Sequence, residues 1–147
     1  HLNSFQKGWI AAAIDGEGTL SLYKDKKKVE YAKRGYVFVP VLVVSSTTPE
    51  FMDKLQLFLG GEGYLCKVHP KNEHWNDLIR YTAHANTLRW LLPQISRYLV
   101  VKQGQAELLI KVLDLIPKAR PISQEHLLDI EQIYHQIKLL NVRGRNG

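Results

Sequence analysis

The most restrictive feature of this sequence is a stretch near its start in which small apolar residues run directly into two acids separated by a glycine. Residues 8–23 read GWIAAAIDGEGTLSLY. Alanines and bulky apolar residues without proline predict a helix over about residues 5–15, which ends at Asp15-Gly16. From Thr19 onward the apolar residues alternate with polar ones, which predicts a strand. The chain must therefore bury an apolar helix whose C-terminal end carries two carboxylates.

One face of this helix combines small side chains with an acid, at spacings of three and four residues: Gly8, Ala11, Ala12 and Asp15. Small residues let a second helix approach closely. If that helix belongs to another copy of the chain, a two-fold axis brings two pairs of Asp15 and Glu17 together, and their repulsion favours a bound cation such as Mg²⁺ or Mn²⁺. Asp-Gly and Glu-Gly pairs are also common in ordinary turns, so a purely structural role stays open at this point.

The rest of the chain predicts an α+β fold in the order helix, two strands, helix, two strands and three helices. The predicted elements are strands over Thr19–Lys24 and Tyr36–Ser46, a helix from Pro49 to the Gly60-Gly61 pair, two short strands around Pro70, and helices over Asn86–Leu92, 102–116 and from Ser123 to Asn141. Pro40 suggests an edge strand or a bulge, and Pro93 is expected to end its helix. We predict one domain over residues 1–147, with a loose basic C-terminal tail.

Composition narrows the classes of partner and compartment. The 20 Lys and Arg residues exceed the 14 Asp and Glu residues and give a formal charge of +6, which favours an anionic partner such as nucleic acid. Cys66 is the only cysteine, so the sequence excludes an internal disulfide and a multi-cysteine zinc site. No apolar run is long enough to cross a bilayer, and no signal peptide is recognised. We expect a soluble intracellular protein, in the cytoplasm or nucleoid of a prokaryote or in a eukaryotic organelle.

The segment WIAAAIDGEGTLSL resembles the motif that names the LAGLIDADG homing endonucleases, and residues 10–18 match it position by position. Ala12 stands where the family usually has glycine, and Glu17 stands where it usually has aspartate. The segment LVVKQGQAELLIKVL, residues 99–113, resembles a second family stretch in which a lysine precedes Gln-x-Gln-Ala. The resemblance covers nearly the whole chain. A single acidic motif places the chain with the homodimeric members, and its size is compatible with compact archaeal enzymes encoded in ribosomal RNA introns.

The resemblance implies an αββαββα fold with extra C-terminal helices and a four-stranded antiparallel saddle that binds DNA. It implies a homodimer that makes a double-strand break in a long, pseudo-palindromic DNA target by Mg²⁺-dependent phosphodiester hydrolysis, with Mn²⁺ as a substitute. Glu17 would hold the metal with the carbonyl of Gly16, and Lys102 would lie near the cleaved phosphate. Asp15 matches the acid that caps the helix and shapes the turn. One polar residue of 45–48, for which Ser46 is favoured, would position the attacking water.

Alternation within the first strand places Leu20 and Leu22 towards the helices and Ser21 and Tyr23 towards DNA. The further candidates for DNA contact are Lys24, Lys26, Lys28 and Arg34 in the first hairpin, and Lys67, His69, Lys71, His74 and Arg80 in the second. A basic hairpin tip is equally typical of a solvated turn, and the register of the second hairpin stays open. His69 and His74 lack zinc-site spacing, so surface or DNA contact is the favoured interpretation.

Other functions fit the same fold. An RNA-binding maturase would use the saddle for intron RNA, with vestigial acids. A transcription regulator would bind DNA without cutting it, and a basic structural protein is a more distant alternative.

Overall fold

The computed structural model describes residues 1–26, 36–69, 71–72, 76–116 and 122–146, with side chains as far as Val142. The predicted DNA contacts Lys28, Arg34 and His74 lie outside these residues. The described elements are α1 (Ser4–Glu17), β1 (Gly18–Lys26), β2 (Tyr36–Ser46), α2 (Pro49–Phe58), β3 (Tyr64–Val68), β4 (Leu78–Ala83), α3 (Ala85–Ile95), a 3₁₀ turn (Ser96–Tyr98), α4 (Gln103–Leu115) and α5 (Gln124–Asn146). This order confirms the predicted α+β fold.

The strands of the described residues form one antiparallel sheet in the order β1-β2-β4-β3. β1 pairs with β2 from Gly18 opposite Val44 to Lys26 opposite Tyr36. β4 pairs with β2 and, on its other side, with β3. Because successive side chains point to opposite faces of a strand, this register sorts every strand residue onto one of two faces.

The inner face of the sheet is apolar and packs against the helices. It carries Leu20, Leu22, Phe38, Leu42, Val44, Ile79, Tyr81 and Ala83, all of them buried. They form one hydrophobic cluster with buried residues of all five helices, including Ile10 and Ile14 of α1 and Leu109 of α4. Burial of apolar surface at about 25 cal/mol per Å² is the main driving force that holds these layers together.

Pro40 lies in an interior strand, so the expectation of an edge strand is wrong. Proline favours edge strands because one side of an edge strand needs no N–H donor, and the position of Pro40 meets this requirement. Pro40 lies opposite Leu22 of β1, whereas the ladder between β2 and β4 begins only at Leu42. Proline has no N–H to donate, and Pro40 stands in the part of β2 that has a ladder on one side only.

The first helix is longer than predicted and includes the acidic end of the motif. Asn3 begins it with a capping box, in which the side chains of Asn3 and Gln6 each accept the backbone N–H of the other residue at 2.8 and 2.9 Å. The helix continues through Glu17. Gly18 then allows an abrupt change into β1, because a Cβ at this position would lie 2.9 Å from the Cα of Ile14.

The other helices follow the prediction at their starts and differ at their ends. α2 begins at Pro49, and Gly60 and Gly61 beyond its end have positive φ angles of 68° and 79°. α3 continues through Pro93 to Ile95, since a missing N–H so near the end removes one helical bond without breaking the helix. The hydroxyl of Ser123 accepts the N–H of His126 at 3.2 Å, as expected of a cap. α5 extends to Asn146, so the tail predicted to be loose is helical to that residue.

None of the described helices combines sufficient length with sufficient apolar character to cross a bilayer.

Candidate active site and nucleic-acid interface

Asp15 fastens the end of α1 to the start of α4. Its carboxylate accepts the backbone N–H groups of Val100, Val101 and Lys102 at 2.8, 3.1 and 3.0 Å. These groups lie at the N-terminal end of α4, where N–H groups lack helical partners and the helix dipole favours negative charge. Lys102 is the N-cap residue of α4, and its own side chain does not cap the helix. Asp15 therefore binds the backbone of the segment that leads into α4, up to the N–H of the N-cap residue Lys102.

The same contact places Lys102 beside the acidic end of α1. The Nζ of Lys102 donates to the backbone carbonyl of Asp15 at 2.9 Å. Gly16 and Glu17 follow that carbonyl directly and are exposed. Within the described residues, the Glu17 carboxylate has no hydrogen bond or ion pair. The structure thus brings Gly16, Glu17 and Lys102 to one place and leaves the Glu17 carboxylate free for a ligand.

The exposed stripe of α1 differs in part from the predicted small-residue face. Ala11 is 1% exposed and belongs to the core of its own chain, so it is not available to a second copy. Ala12 is exposed and Gly8 is partly exposed. Helical spacing continues this stripe through Phe5, which is 65% exposed, and Gly16. An apolar side chain and three small residues therefore lead along the surface to Glu17.

The outer face of the sheet, opposite the core, lines an open cavity of about 1000 Å³. The strand residues that line it are Gly18, Thr19, Ser21, Tyr23, Val41, Val43, Ser45, Arg80 and Thr82, and His84 lines it just beyond the end of β4. α5 contributes Leu140 and Asn141, and Val101, Lys102 and Gln105 come from α4 and the segment before it. The described lining residues include Arg80 and Lys102 but no acid, so the cavity favours an anionic ligand.

Ser46 lies outside this cavity, which corrects the residue favoured for positioning water. The register places Ser46 opposite Ile79, on the inner face, and its hydroxyl accepts the N–H of Thr48 at 3.1 Å. Ser45 lines the cavity with Lys102 instead. Ser45 follows Val44, whose partner Gly18 follows Glu17, so the pairing places Ser45 and Glu17 at the same end of the hairpin.

Ser21 lies on the outer face as predicted, but α5 covers it. Its side chain is 8% exposed, and its hydroxyl accepts a hydrogen bond from Nδ2 of Asn141 at 3.4 Å. The same Nδ2 donates to the carbonyl of Leu20 at 3.1 Å, and Oδ1 of Asn141 accepts from buried Gln105 at 3.2 Å. Ser21 therefore belongs to a group of hydrogen-bonded residues that joins β1, α4 and α5. This corrects its assignment as a free DNA contact. Tyr23 remains exposed on the outer face.

Lys24 shares the inner parity of Leu22 and pairs within the chain, which corrects its assignment to DNA. Its Nζ lies 3.0 Å from Oε1 of Glu131 in α5 and 4.3 Å from the ring centroid of Tyr36. The hydrogen bond with Glu131 raises the pKa of Lys24, and the same bond lowers the pKa of Glu131. Lys26 has the same parity and is exposed at the end of β1.

The second hairpin divides its predicted contacts between the two faces. Arg80 is exposed on the outer face, opposite Ser45 and Cys66. Lys67 lies opposite Ile79, so it is on the inner side of the sheet and does not share the outer face with Arg80, although it is exposed. His69 is exposed and its Nδ1 lies 2.9 Å from Oδ1 of Asp77. Lys71 is exposed in the turn.

Several outer-face residues were missed by the sequence analysis. They are Thr19, Val41, Val43, Tyr64, Cys66, Thr82 and His84. Period two from Ser21 would have found Thr19. The segment VFVPVLVV has no polar contrast, so its outward valines carry no signal without the register.

The donor set at the end of α1 suits a hard cation only in part. The Glu17 carboxylate and the Gly16 carbonyl are oxygen donors of the type that Mg²⁺ and Mn²⁺ prefer. Among the described residues, no group of three or more His, Cys, Asp or Glu side chains is arranged to hold a metal. The described residues therefore supply only part of a ligand set for such a cation.

Comparison with known proteins shows likeness at the level of structure. No family model and no curated protein sequence matches the chain. A complex of the homing endonuclease I-CvuI with the I-CreI target and Mg matches with a TM-score of 0.74 and 20% identity, over 92% of this chain and 82% of that chain. I-CvuI with its own target and Ca matches with a TM-score of 0.75 and 18% identity, over 94% and 85%. The LAGLIDADG homing endonuclease I-SmaMI bound to cleaved DNA matches with a TM-score of 0.71 and 24% identity, over 90% and 43%.

The sheet, the helix order and these superpositions define the class: the chain has the fold of the LAGLIDADG homing endonucleases. Within that fold it is similar to I-CvuI along most of both chains, whereas it spans less than half of I-SmaMI.

Proposed function

We propose that this protein is a site-specific DNA endonuclease that acts as a homodimer and hydrolyses one phosphodiester on each strand of a long, pseudo-palindromic target with Mg²⁺. The observation that carries this proposal is the exposed carboxylate of Glu17, unpaired among the described residues and beside Lys102, at the edge of a cavity whose described lining includes no acid. The DNA-bound homing endonucleases of the same fold support it.

The position of the Glu17 carboxylate is electrostatically unfavourable in the isolated chain. It stands at the C-terminal end of α1, where the helix dipole is negative and no basic residue occupies the last turn. Asp15 is compensated by three N–H groups, and Glu17 has no such partner among the described residues. An uncompensated acid at this end is explained by a ligand of positive charge.

Glu17 and the carbonyl of Gly16 would hold the divalent cation together with the same groups of a second copy. When bound, the cation supplies Lewis-acid polarisation of the phosphate and neutralises developing negative charge. The exposed stripe of Phe5, Gly8, Ala12 and Gly16 leads to this end of the helix and would form the contact between the two copies.

Lys102 would stabilise the charge that develops on the phosphate oxygens, since its ammonium is held at the end of α1 by the carbonyl of Asp15. Ser45 would orient water by hydrogen bonding, because it lines the cavity with Lys102. Arg80 on the outer face would contact DNA, with Lys26 and Lys71 at the strand and turn ends as further phosphate contacts.

The test is cleavage of a randomised duplex DNA library with Mg²⁺ by the wild-type chain and by Glu17→Gln, with sequencing of the ends. We expect discrete cuts at one roughly two-fold symmetric site, and loss of cutting in Glu17→Gln with retained DNA binding. Glu107→Gln, an exposed position on α4, is the matched control and is expected to cut like the wild type.

Undiminished cutting by Glu17→Gln would refute the role of Glu17. Stable duplex binding without nicking in Mg²⁺ would refute nuclease activity and favour a regulator. Tighter binding of structured RNA than of any duplex DNA would instead favour the maturase.

A further inference from the structure

A row of side chains crosses the outer face from one edge strand to the other. Thr19 of β1 lies opposite Val43 of β2, and Val43 lies opposite Thr82 of β4. Thr82 in turn lies opposite Tyr64 of β3. Directly opposed residues have Cβ atoms about 4.5–5.5 Å apart. The first three residues, Thr19, Val43 and Thr82, all carry methyl groups, and we call them the methyl row.

The methyl row is accessible from the cavity side. Thr19 is exposed, and Val43 and Thr82 are partly exposed. All three line the same cavity as Lys102 and Arg80. The hydroxyls of Thr19 and Thr82 flank Val43, which has no donor or acceptor in its side chain. The middle of the row therefore presents an apolar surface inside a cationic cavity.

In the major groove, thymine alone among the four bases presents a methyl group, whereas cytosine presents an amino donor and guanine presents acceptors. A valine against a polar base edge removes water without replacing its hydrogen bonds, which is unfavourable. A valine against a thymine methyl buries apolar surface on both partners, which is favourable. The chemistry of this row thus discriminates between bases.

We infer that the methyl row reads the 5-methyl group of thymine in each half of the DNA target, with Val43 as the central specificity-determining residue. This inference rests on the proposed function, because it requires duplex DNA on the outer face. It extends that function by assigning the chemical group that is recognised and the residues that recognise it.

The experiment begins with selection of bound duplexes from a randomised DNA library by the wild-type chain, with Ca²⁺ in place of Mg²⁺. Each thymine of the selected sequence is then replaced singly by deoxyuridine, which removes the methyl group alone. We expect at least one position in each half-site at which uracil weakens binding about fourfold, the equivalent of one buried methyl group. At that position, 5-methylcytosine is expected to bind more tightly than cytosine.

Protein variants connect this effect to the methyl row. Val43→Ser and Thr19→Ser remove methyl groups, and both are expected to reduce the difference between thymine and uracil at that position. Leu57→Ala removes methyl groups from an exposed side chain of α2, far from the row in the fold of the sheet; it is the matched control and is expected to retain the full difference. Thr19→Ser keeps the hydroxyl at an exposed position, so it decides the matter even if Val43→Ser does not fold.

Two results would overturn the inference while the proposed function stands. The first is a selected sequence in which every uracil duplex binds within about twofold of its thymine counterpart, less than one methyl group accounts for. The second is an undiminished thymine preference in Thr19→Ser. Failure to enrich any sequence would overturn site-specific binding itself, and the inference with it.

Discussion

Asp15 and Lys102 bind each other through two reciprocal contacts. The carboxylate of Asp15 accepts the N–H of Lys102 at 3.0 Å, and the ammonium of Lys102 donates to the carbonyl of Asp15 at 2.9 Å. The first contact holds the backbone at the start of α4, and the second aims the side chain at the end of α1. A carboxylate that itself takes no part in the proposed chemistry thereby positions the lysine that does.

Loss of the Lys102 ammonium should impair cleavage far more than binding. In Lys102→Met the phosphate charge is left without this donor, and we expect single-turnover cleavage of the selected target to fall about 100-fold or more. Binding measured in Ca²⁺ should change only a few-fold, by analogy with a single phosphate contact. Lys111→Met, exposed on α4, should leave both quantities unchanged. Equal losses in rate and affinity would contradict a role in the transition state.

Removal of the Asp15 carboxylate should destabilise the fold. Asp15→Ala leaves the N–H groups of residues 100–102 without their acceptor, and we expect the free energy of unfolding in urea to fall by about 2–3 kcal/mol. Asp53→Ala removes an exposed carboxylate from α2 and should change that free energy by less than about 0.5 kcal/mol. Similar stability of the two variants would show that the three hydrogen bonds contribute little.

Arg80 and Lys24 should differ in their effect on DNA binding although both are basic strand residues. Arg80 is exposed on the outer face, whereas Lys24 is paired with Glu131 on the other. Arg80→Gln should lower affinity and, if it contacts a phosphate, reduce the slope of log affinity against log salt by about one unit per site. Lys24→Gln should leave that slope unchanged. The reverse result would place DNA on the face that the helices occupy.

Gly63 should tolerate alanine much less well than Gly61. Both have positive φ angles, 80° and 79°, which strain any residue with a Cβ. At Gly61 the space around a Cβ is open, whereas at Gly63 a Cβ would collide with the buried ring of Tyr81, whose hydroxyl donates to the carbonyl of Glu62 at 2.8 Å. We expect Gly61→Ala to cost about 1 kcal/mol and Gly63→Ala at least about 1–3 kcal/mol more. Thermal unfolding of the two variants measures the difference, and equal midpoints would contradict it.

The sequence was sufficient wherever the signal is local. The alternation in β1 placed Leu20 and Leu22 on the inner face, and Pro49 with the Gly60-Gly61 pair marked the limits of α2. The same alternation places Lys24 on the inner face. Lys24 was instead assigned to DNA, because it adjoins a basic turn. Local periodicity determines these features because neighbouring side chains on one element obey its geometry whatever packs against it.

The tertiary structure decided what depends on register and on distant partners. Ala11 and Ala12 are identical in chemistry, and only packing buries the first and exposes the second. The unbroken apolar run in β2 gave no basis for choosing between Ser45 and Ser46 until pairing with β1 and β4 assigned their faces. Asn141 meets Leu20 across 121 residues of sequence. Such choices follow from the shape of the whole core, because one residue of slip exchanges the two faces of a strand while its composition stays the same.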